Sequence, residues 1–524
     1  MRRVLVCLLL LLAAGCDSVD ERPACARSSD CPDGQYCAVT VDGNVCWDDP
    51  SPPVVSAVTL TCNTTPCLRD GTLRVEATVT DDHEVAGAEA TLDLDPSQPI
   101  TLTRSGSRWG ADVPLRAYPF EAFERPVVAT VAGTDGARTT SAVVSSGAVQ
   151  VTRLRWVYTA TNALTAPAVM DDGTVVVGVA NTSDQLLAVR PDGTKAWSLT
   201  VGTGQITAAP AIGGSGIWAG SSDSRLYRAN LAGVSVNAGC ASGGAINQAS
   251  ALLPGTPERA VAPSQASALA VSDGASFCNL TSTGAPATAA PAISTTGQVM
   301  TVAGSVAQSF TVGITGALAP NWTGIPPAPV PPSVGSPVEL PLAVDGGGAV
   351  WSVATGGQVH RTTSEADSAL VTTVAGSKSG AVFLSDGTAV IGTGDAKLTR
   401  PNATGSAWRD SATLSGLAST PLVLAAPEPA LLVTTSTGQL FAVRQSDGSV
   451  AWSATLSATN AALQPANIFT SGGQPAGEVL STAYVSGADG KLYAVIVDGE
   501  LDTTSPWPKA FHDRRNTNNA GTQP

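Results

Sequence analysis

Ala188-Val-Arg-Pro-Asp-Gly-Thr-Lys-Ala-Trp197 returns 254 residues later as Ala442-Val-Arg-Gln-Ser-Asp-Gly-Ser-Val-Ala-Trp452. An offset of that size is six periods of about forty-two residues, the length of a four-stranded propeller blade. A second marker fixes the phase: a small residue, proline, then a small or apolar residue at Ala166-Pro167-Ala168, Ala209-Pro210-Ala211, Ala290-Pro291-Ala292, Ser336-Pro337-Val338, Thr420-Pro421-Leu422 and Gln464-Pro465-Ala466. Two gaps are doubled, which places units with a lost proline near Ala249-Ser250-Ala251 and Ser379-Gly380-Ala381. The mean spacing is then near 42.6 residues, and the expectation is an all-β chain with about eight blades.

Within a unit the order also repeats. A glycine turn is followed by a short apolar strand such as Thr174-Val-Val-Val177, then by Leu-Tyr/Phe/Leu-Ala-Val, an Asp-Gly turn and a tryptophan. Each small twisted sheet cannot bury both faces, so radial stacking of sheets supplies the core. Trp197, Trp322, Trp408 and Trp452 are expected on the outermost strands, packed between blades and donating indole N–H groups. Trp156 precedes the first marker, while the last unit, Gly490-Lys-Leu-Tyr-Ala-Val495, lacks a matching tryptophan. The strand around Trp156 is therefore expected to complete the last blade and close the ring. Acidic residues concentrate in Asp-Gly turns at Asp172, Asp192, Asp273, Asp386, Asp447 and Asp489, where they are read as hairpin formers.

Ahead of the repeats the chain has a different character. Arg2 and Arg3 precede an apolar run from Val4 to Ala14, too short to cross a hydrocarbon core of about 30 Å, and small residues follow up to Cys16. This is read as an export signal over 1–15. Small residues at the two positions before Cys16 resemble a bacterial lipobox, with Ala13 where leucine is commoner, and the resemblance implies lipidation of Cys16 and anchoring to a membrane. Eight of the ten cysteines remain after Cys7 and Cys16 are set aside, an even number suited to an oxidising compartment. Cys25, Cys31, Cys37 and Cys46 form a short staple-dependent module with three possible connectivities; Cys62 and Cys67 are expected to close a loop, and Cys240 and Cys278 to pair across neighbouring repeats. The run Cys31-Pro-Asp-Gly-Gln-Tyr-Cys37 with Asn44-Val-Cys46 resembles small cysteine modules of envelope lipoproteins of deltaproteobacteria.

The module and its lipidated start occupy 16–53, ending in the extended linker Asp48-Asp-Pro-Ser-Pro-Pro53. Residues 54–151 alternate in short segments such as Leu73-Arg-Val-Glu-Ala-Thr-Val79, separated by turn clusters, the pattern of a β-sandwich. Val79-Thr-Asp-Asp82 followed by Val85-Ala-Gly-Ala-Glu-Ala-Thr-Leu92 resembles an element of bacterial Ig-like domains, which implies a spacer. The propeller then takes 152–524.

Composition narrows the partners. Only 13% of residues are charged, with 53 glycines and 36 prolines, and the formal net charge is −14. A chain of that sign repels nucleic acid, and no basic patch interrupts it. No Cys-x-x-Cys-His, Gly-x-Ser-x-Gly or His-Glu-x-x-His motif occurs, and the three histidines, His83, His360 and His512, are scattered.

The repeat motifs resemble the pyrroloquinoline-quinone-like propeller repeat, a family that includes quinoprotein alcohol dehydrogenases and the propeller lipoprotein of the outer-membrane barrel assembly machinery. The ending Trp507-Pro-Lys-Ala-Phe-His-Asp-Arg-Arg-Asn-Thr517 resembles a tail of such propellers and is read as a turn that seals the ring. A quinoprotein's carboxylate beside calcium and its vicinal cysteines are not recognisable here, so no catalytic, cofactor or metal residues are assigned. The expectation is a non-enzymatic envelope lipoprotein, held in the outer membrane, that offers blade loops to a protein or glycan; the proline-rich stretch Thr323–Pro341 is read as an ordinary solvated loop in preference to a docking segment. The alternatives are an enzyme with its site in the propeller channel, quinoprotein-like or otherwise, and an outer-membrane protein assembly factor.

Overall fold

The computed structural model describes residues 22–41, 43–49, 51–137, 140–145, 147–313, 315–322, 338–364, 367–403, 408–475 and 477–524. Cys16 and most of the proline-rich stretch, 323–337, lie outside them. Regular structure among the described residues is strand apart from two three-residue 3₁₀ turns, as the scarcity of helix formers and abundance of Val, Thr and Gly require. The chain divides into two compact units, one built from residues up to Cys67, Gly71–Tyr118 and Pro126–Gln150, the other from Leu68–Asp70, Pro119–Arg125 and Val151–Pro524.

In the first unit the hairpin Gln35–Thr40 with Gly43–Asp48 carries the cysteine module, where Cys25 bonds Cys37 and Cys31 bonds Cys46. Two four-stranded antiparallel sheets make up most of the rest. Strands Thr72–Thr80 and Ala129–Asp135 alternate buried and half-exposed side chains along nearly their whole length, the signature of one packed face. The two faces meet so closely that a Cβ on Gly133 would lie 2.7 Å from Val79 Cγ1. Cys62 is bonded to Cys67 at the end of the strand Val54–Cys62.

The second unit is, among the described residues, a succession of eight antiparallel meanders. Their inner strands are Ala168–Val169, Ala211–Ile212, Ala251–Leu253, Ala292–Ile293, Ala343–Val344, Val382–Phe383, Leu422–Leu424 and Asn467–Phe469. The strand Leu154–Thr159 pairs with Lys491–Asp498 and forms the outer edge of the last sheet, so one sheet is built from both ends of the repeat array and the ring is closed by hydrogen bonds. Alanines lead into the inner strands, and Ala166, Ala209, Ala249 and Ala290 converge in one buried cluster because only small side chains fit where the sheets approach the axis. Cys240 and Cys278, on the outer strands of adjacent sheets, are joined.

Tryptophans fasten neighbouring sheets. The indole of Trp156 donates to the Pro191 carbonyl at 2.8 Å, and that of Trp408 donates to the Gln445 carbonyl, the equivalent turn of a later sheet, at 2.9 Å. Trp197, Trp322 and Trp452 stand on outer strands, whereas Trp408 follows the short strand Leu398–Thr399 outside any strand. The marker at Pro337 is also corrected. The inner strand of that sheet begins at Ala343, after Pro341-Leu342, because the inserted proline-rich stretch carries a small-Pro-apolar triplet of its own.

Candidate functional site

Propeller rings leave two recesses, the axial channel and the seams between sheets. The channel here is occupied by the chain's own tail. Phe383 and Val423 donate their backbone N–H groups to the carbonyls of Trp507 and Pro508; Val169, Ile212, Leu252 and Ile293 donate to those of Arg514, Arg515, Thr517 and Asn518, at 2.7–3.0 Å. In each case the donor is the second residue of its inner strand. Asn467 adds a side-chain amide to the Arg514 carbonyl at 2.7 Å. The tail therefore visits seven of the eight sheets in ring order.

Asparagines adapt the tail to a circular path. Asn516 Nδ2 donates to the carbonyls of Pro167 and Pro210, and Asn518 Nδ2 to that of Ser250, satisfying strand-entry carbonyls that prolines and turns leave open. Asp513 accepts from the backbone N–H groups of Arg515 and Thr517 and from the hydroxyls of Thr517 and Thr522. Burial acts to raise the Asp513 carboxyl, but His512 and these hydrogen bonds hold it below the usual carboxylate range. His512 lies edge-on to Trp507, 4.7 Å between ring centres, and both are buried. The His512–Asp513 pair thus shapes a turn. Lys509, enclosed on all sides, donates to the Ala510 and Asp513 carbonyls and to Asn516 Oδ1, while burial drives its ammonium pKa down to about 7 against the pull of Asp513.

Beside the plug a hollow of about 280 Å³ remains, lined among others by Thr165, Ala166, Ile206, Ala249, Gln464 and Phe511. The acidic turn residues are elsewhere and each braces its own turn. Asp172, Asp192, Asp386, Asp447 and Asp489 each accept the N–H two residues on, and Asp273 accepts three successive N–H groups. Asp489 and its counterpart Asp223 do more: each accepts the hydroxyl of a tyrosine four residues ahead, Tyr493 at 2.9 Å and Tyr227 at 2.8 Å. Burial and that carboxylate push Tyr227 up to about 12.

A larger recess of about 490 Å³ opens at the seam between the last two sheets. Leu424, Pro427, Pro429, Ala442, Trp452 and Val497 give it an apolar wall, and Glu121, Glu428, Arg444 and Asp498 its charges. Arg153, with no exposed side-chain surface, pairs with Asp498, donates to the Phe120 carbonyl and lies 4.9 Å from the Trp452 ring; Arg69 meets the same carboxylate at 3.1 Å. This fixes the recess floor. At its rim Arg444 pairs with Glu121 at 2.7 Å, and both side chains are partly exposed. A recess of this volume with one apolar wall and a few placed charges has the make-up of a binding site. The repeat pattern identifies Trp452 as a packing residue but not the recess, whose lining comes from four separated stretches.

A family model described as outer membrane protein assembly factor BamB matches residues 320–511. No curated protein matches the chain. Among solved structures the chain is similar to a computationally designed protein, Ika8, at 14% identity and a TM-score of 0.47, covering 65% of this chain and 98% of that one. It is similar at 15% identity, with the same coverage and TM-score, to BamB from Moraxella catarrhalis.

Proposed function

We propose that this protein is a non-enzymatic binding scaffold of the cell envelope, lipid-anchored through Cys16, with the first unit as a spacer and the recess at the last seam gripping an extended segment of an envelope protein. The observation that carries this reading is the tail circuit. The channel, where a propeller enzyme would gather its chemistry, is filled with backbone and with side chains committed to one another. Of the two concavities described in this unit, the seam recess is the larger. Its apolar wall suits alternate side chains of an extended peptide, and the Arg444–Glu121 pair suits the peptide's charges.

A photo-crosslinking residue at Ala451, on the recess wall, tests this in the native envelope. One discrete protein adduct is expected, lost on Arg444→Glu and absent when the same probe replaces the exposed Leu280. No adduct at Ala451, or equal adducts at both positions, overturns the reading. A second reading, assembly of outer-membrane proteins, is favoured by the family match over 320–511. It requires the adduct to be a component of that machinery and the loss of the protein to lower outer-membrane protein levels.

A further inference from the structure

We propose that Asp49, Asp81, Asp82 and His83 form a binding site for a divalent transition-metal ion that ties the cysteine module to the neighbouring sheets of the first unit. Asp49 directly follows the hairpin strand Gly43–Asp48, and the other three follow the strand Thr72–Thr80. One ligand atom from each of the four lies within 4.8 Å of all the others. His83 Nδ1 stands 3.2 Å from both Asp49 Oδ2 and Asp82 Oδ1. Separations near 3 Å are the edges of a coordination shell whose bonds are about 2.0–2.2 Å long.

The second observation is an unmet demand. Asp49 is 1% exposed, and although its Oδ1 accepts the Ser51 N–H at 3.2 Å, its Oδ2 is enclosed and receives no hydrogen bond. Asp81 repeats the pattern: Oδ1 accepts the N–H groups of His83 and Glu84, and the enclosed Oδ2 accepts none. Two enclosed carboxylate oxygens that receive no hydrogen bond, on residues clustered with a third carboxylate, are costly unless a cation meets them. The loop geometry prepares them for it, since the bonds to the outer oxygens hold both carboxylates in place. Tyr36 packs on the His83 ring at 4.3 Å between centres and limits its rotation. Three carboxylates with one imidazole favour zinc or manganese over calcium, which takes oxygen ligands, and over copper(I), which takes sulfur.

The test is calorimetric titration of the oxidised full chain, freed of metal by chelator, with Zn²⁺, Mn²⁺ and Ca²⁺ in turn. One equivalent of Zn²⁺ or Mn²⁺ is expected to bind at least tenfold more tightly than Ca²⁺. Asp49→Asn and His83→Ala are expected to weaken it at least tenfold, and Asp112→Asn, on an exposed strand position of the same unit, to leave it unchanged. Should Asp49→Asn fail to fold, Asp82→Asn serves instead, because that side chain is 63% exposed. Absence of stoichiometric binding by either ion, or binding that survives both His83→Ala and Asp82→Asn, overturns the proposal.

Discussion

Single residues carry the contacts between sheets. Gly193 sits at φ +85° in the turn that receives Trp156, and a Cβ there would lie 2.8 Å from the indole Cγ. Gly297 adopts φ +79° with nothing near its missing Cβ. Alanine at Gly297 is expected to cost about 1 kcal/mol of backbone strain, and alanine at Gly193 about 1–2 kcal/mol more, as Trp156 is displaced; urea unfolding of the two variants measures the difference. Lys509 gives a pH signature. Its folded-state pKa, near 7, is below that of the unfolded chain, so the burial penalty is full below pH 7 and is relieved as pH rises toward 10.5. Stability is expected to increase between pH 7 and 9, and Lys509→Met to lose that increment while being less stable throughout, since the buried Ala510 carbonyl loses its donor and the Asp513 carbonyl and Asn516 Oδ1 lose one each. Urea midpoints at the two pH values decide it.

Among the elements, the tail is the informative piece. Deleting 507–524 leaves the six inner-strand N–H groups without acceptors and empties the space filled by Trp507 and Phe511. At about 1–3 kcal/mol for each unmet donor, the loss reaches the whole stability of an ordinary domain. The truncated chain is expected to lose its cooperative thermal transition, which near-ultraviolet circular dichroism reports. The inner strands were legible at most surviving prolines: Ala168, Ala211, Ala292 and Leu422 each directly follow one, and Asn467 begins its strand one residue later after Pro465. Pro337 misled because a triplet of residue types marks a turn without marking its register. The tail's sealing role was visible in its likeness to other propeller tails, but the path was not, because its partners are backbone groups that every residue possesses.

The all-β architecture as a whole followed from a period, and the candidate sites did not. The seam recess needs Glu121, Glu428, Arg444 and Asp498 to meet across hundreds of residues, and the metal cluster needs Asp49 to reach a loop more than thirty residues away. Spacing along the chain holds no record of either encounter. The closing of the ring carries one more consequence. Its last sheet awaits Lys491–Asp498 as partner for Leu154–Thr159, and its axis awaits residues 507–518. The segments that lock the structure thus emerge from the ribosome only after every other sheet has been made. Until they arrive, the earlier edges have no mate and the inner strands no axis to bond to. The ring cannot close before residues 491–498 and 507–518 have been made, so its locking contacts are among the most non-local in the fold and are expected to form late.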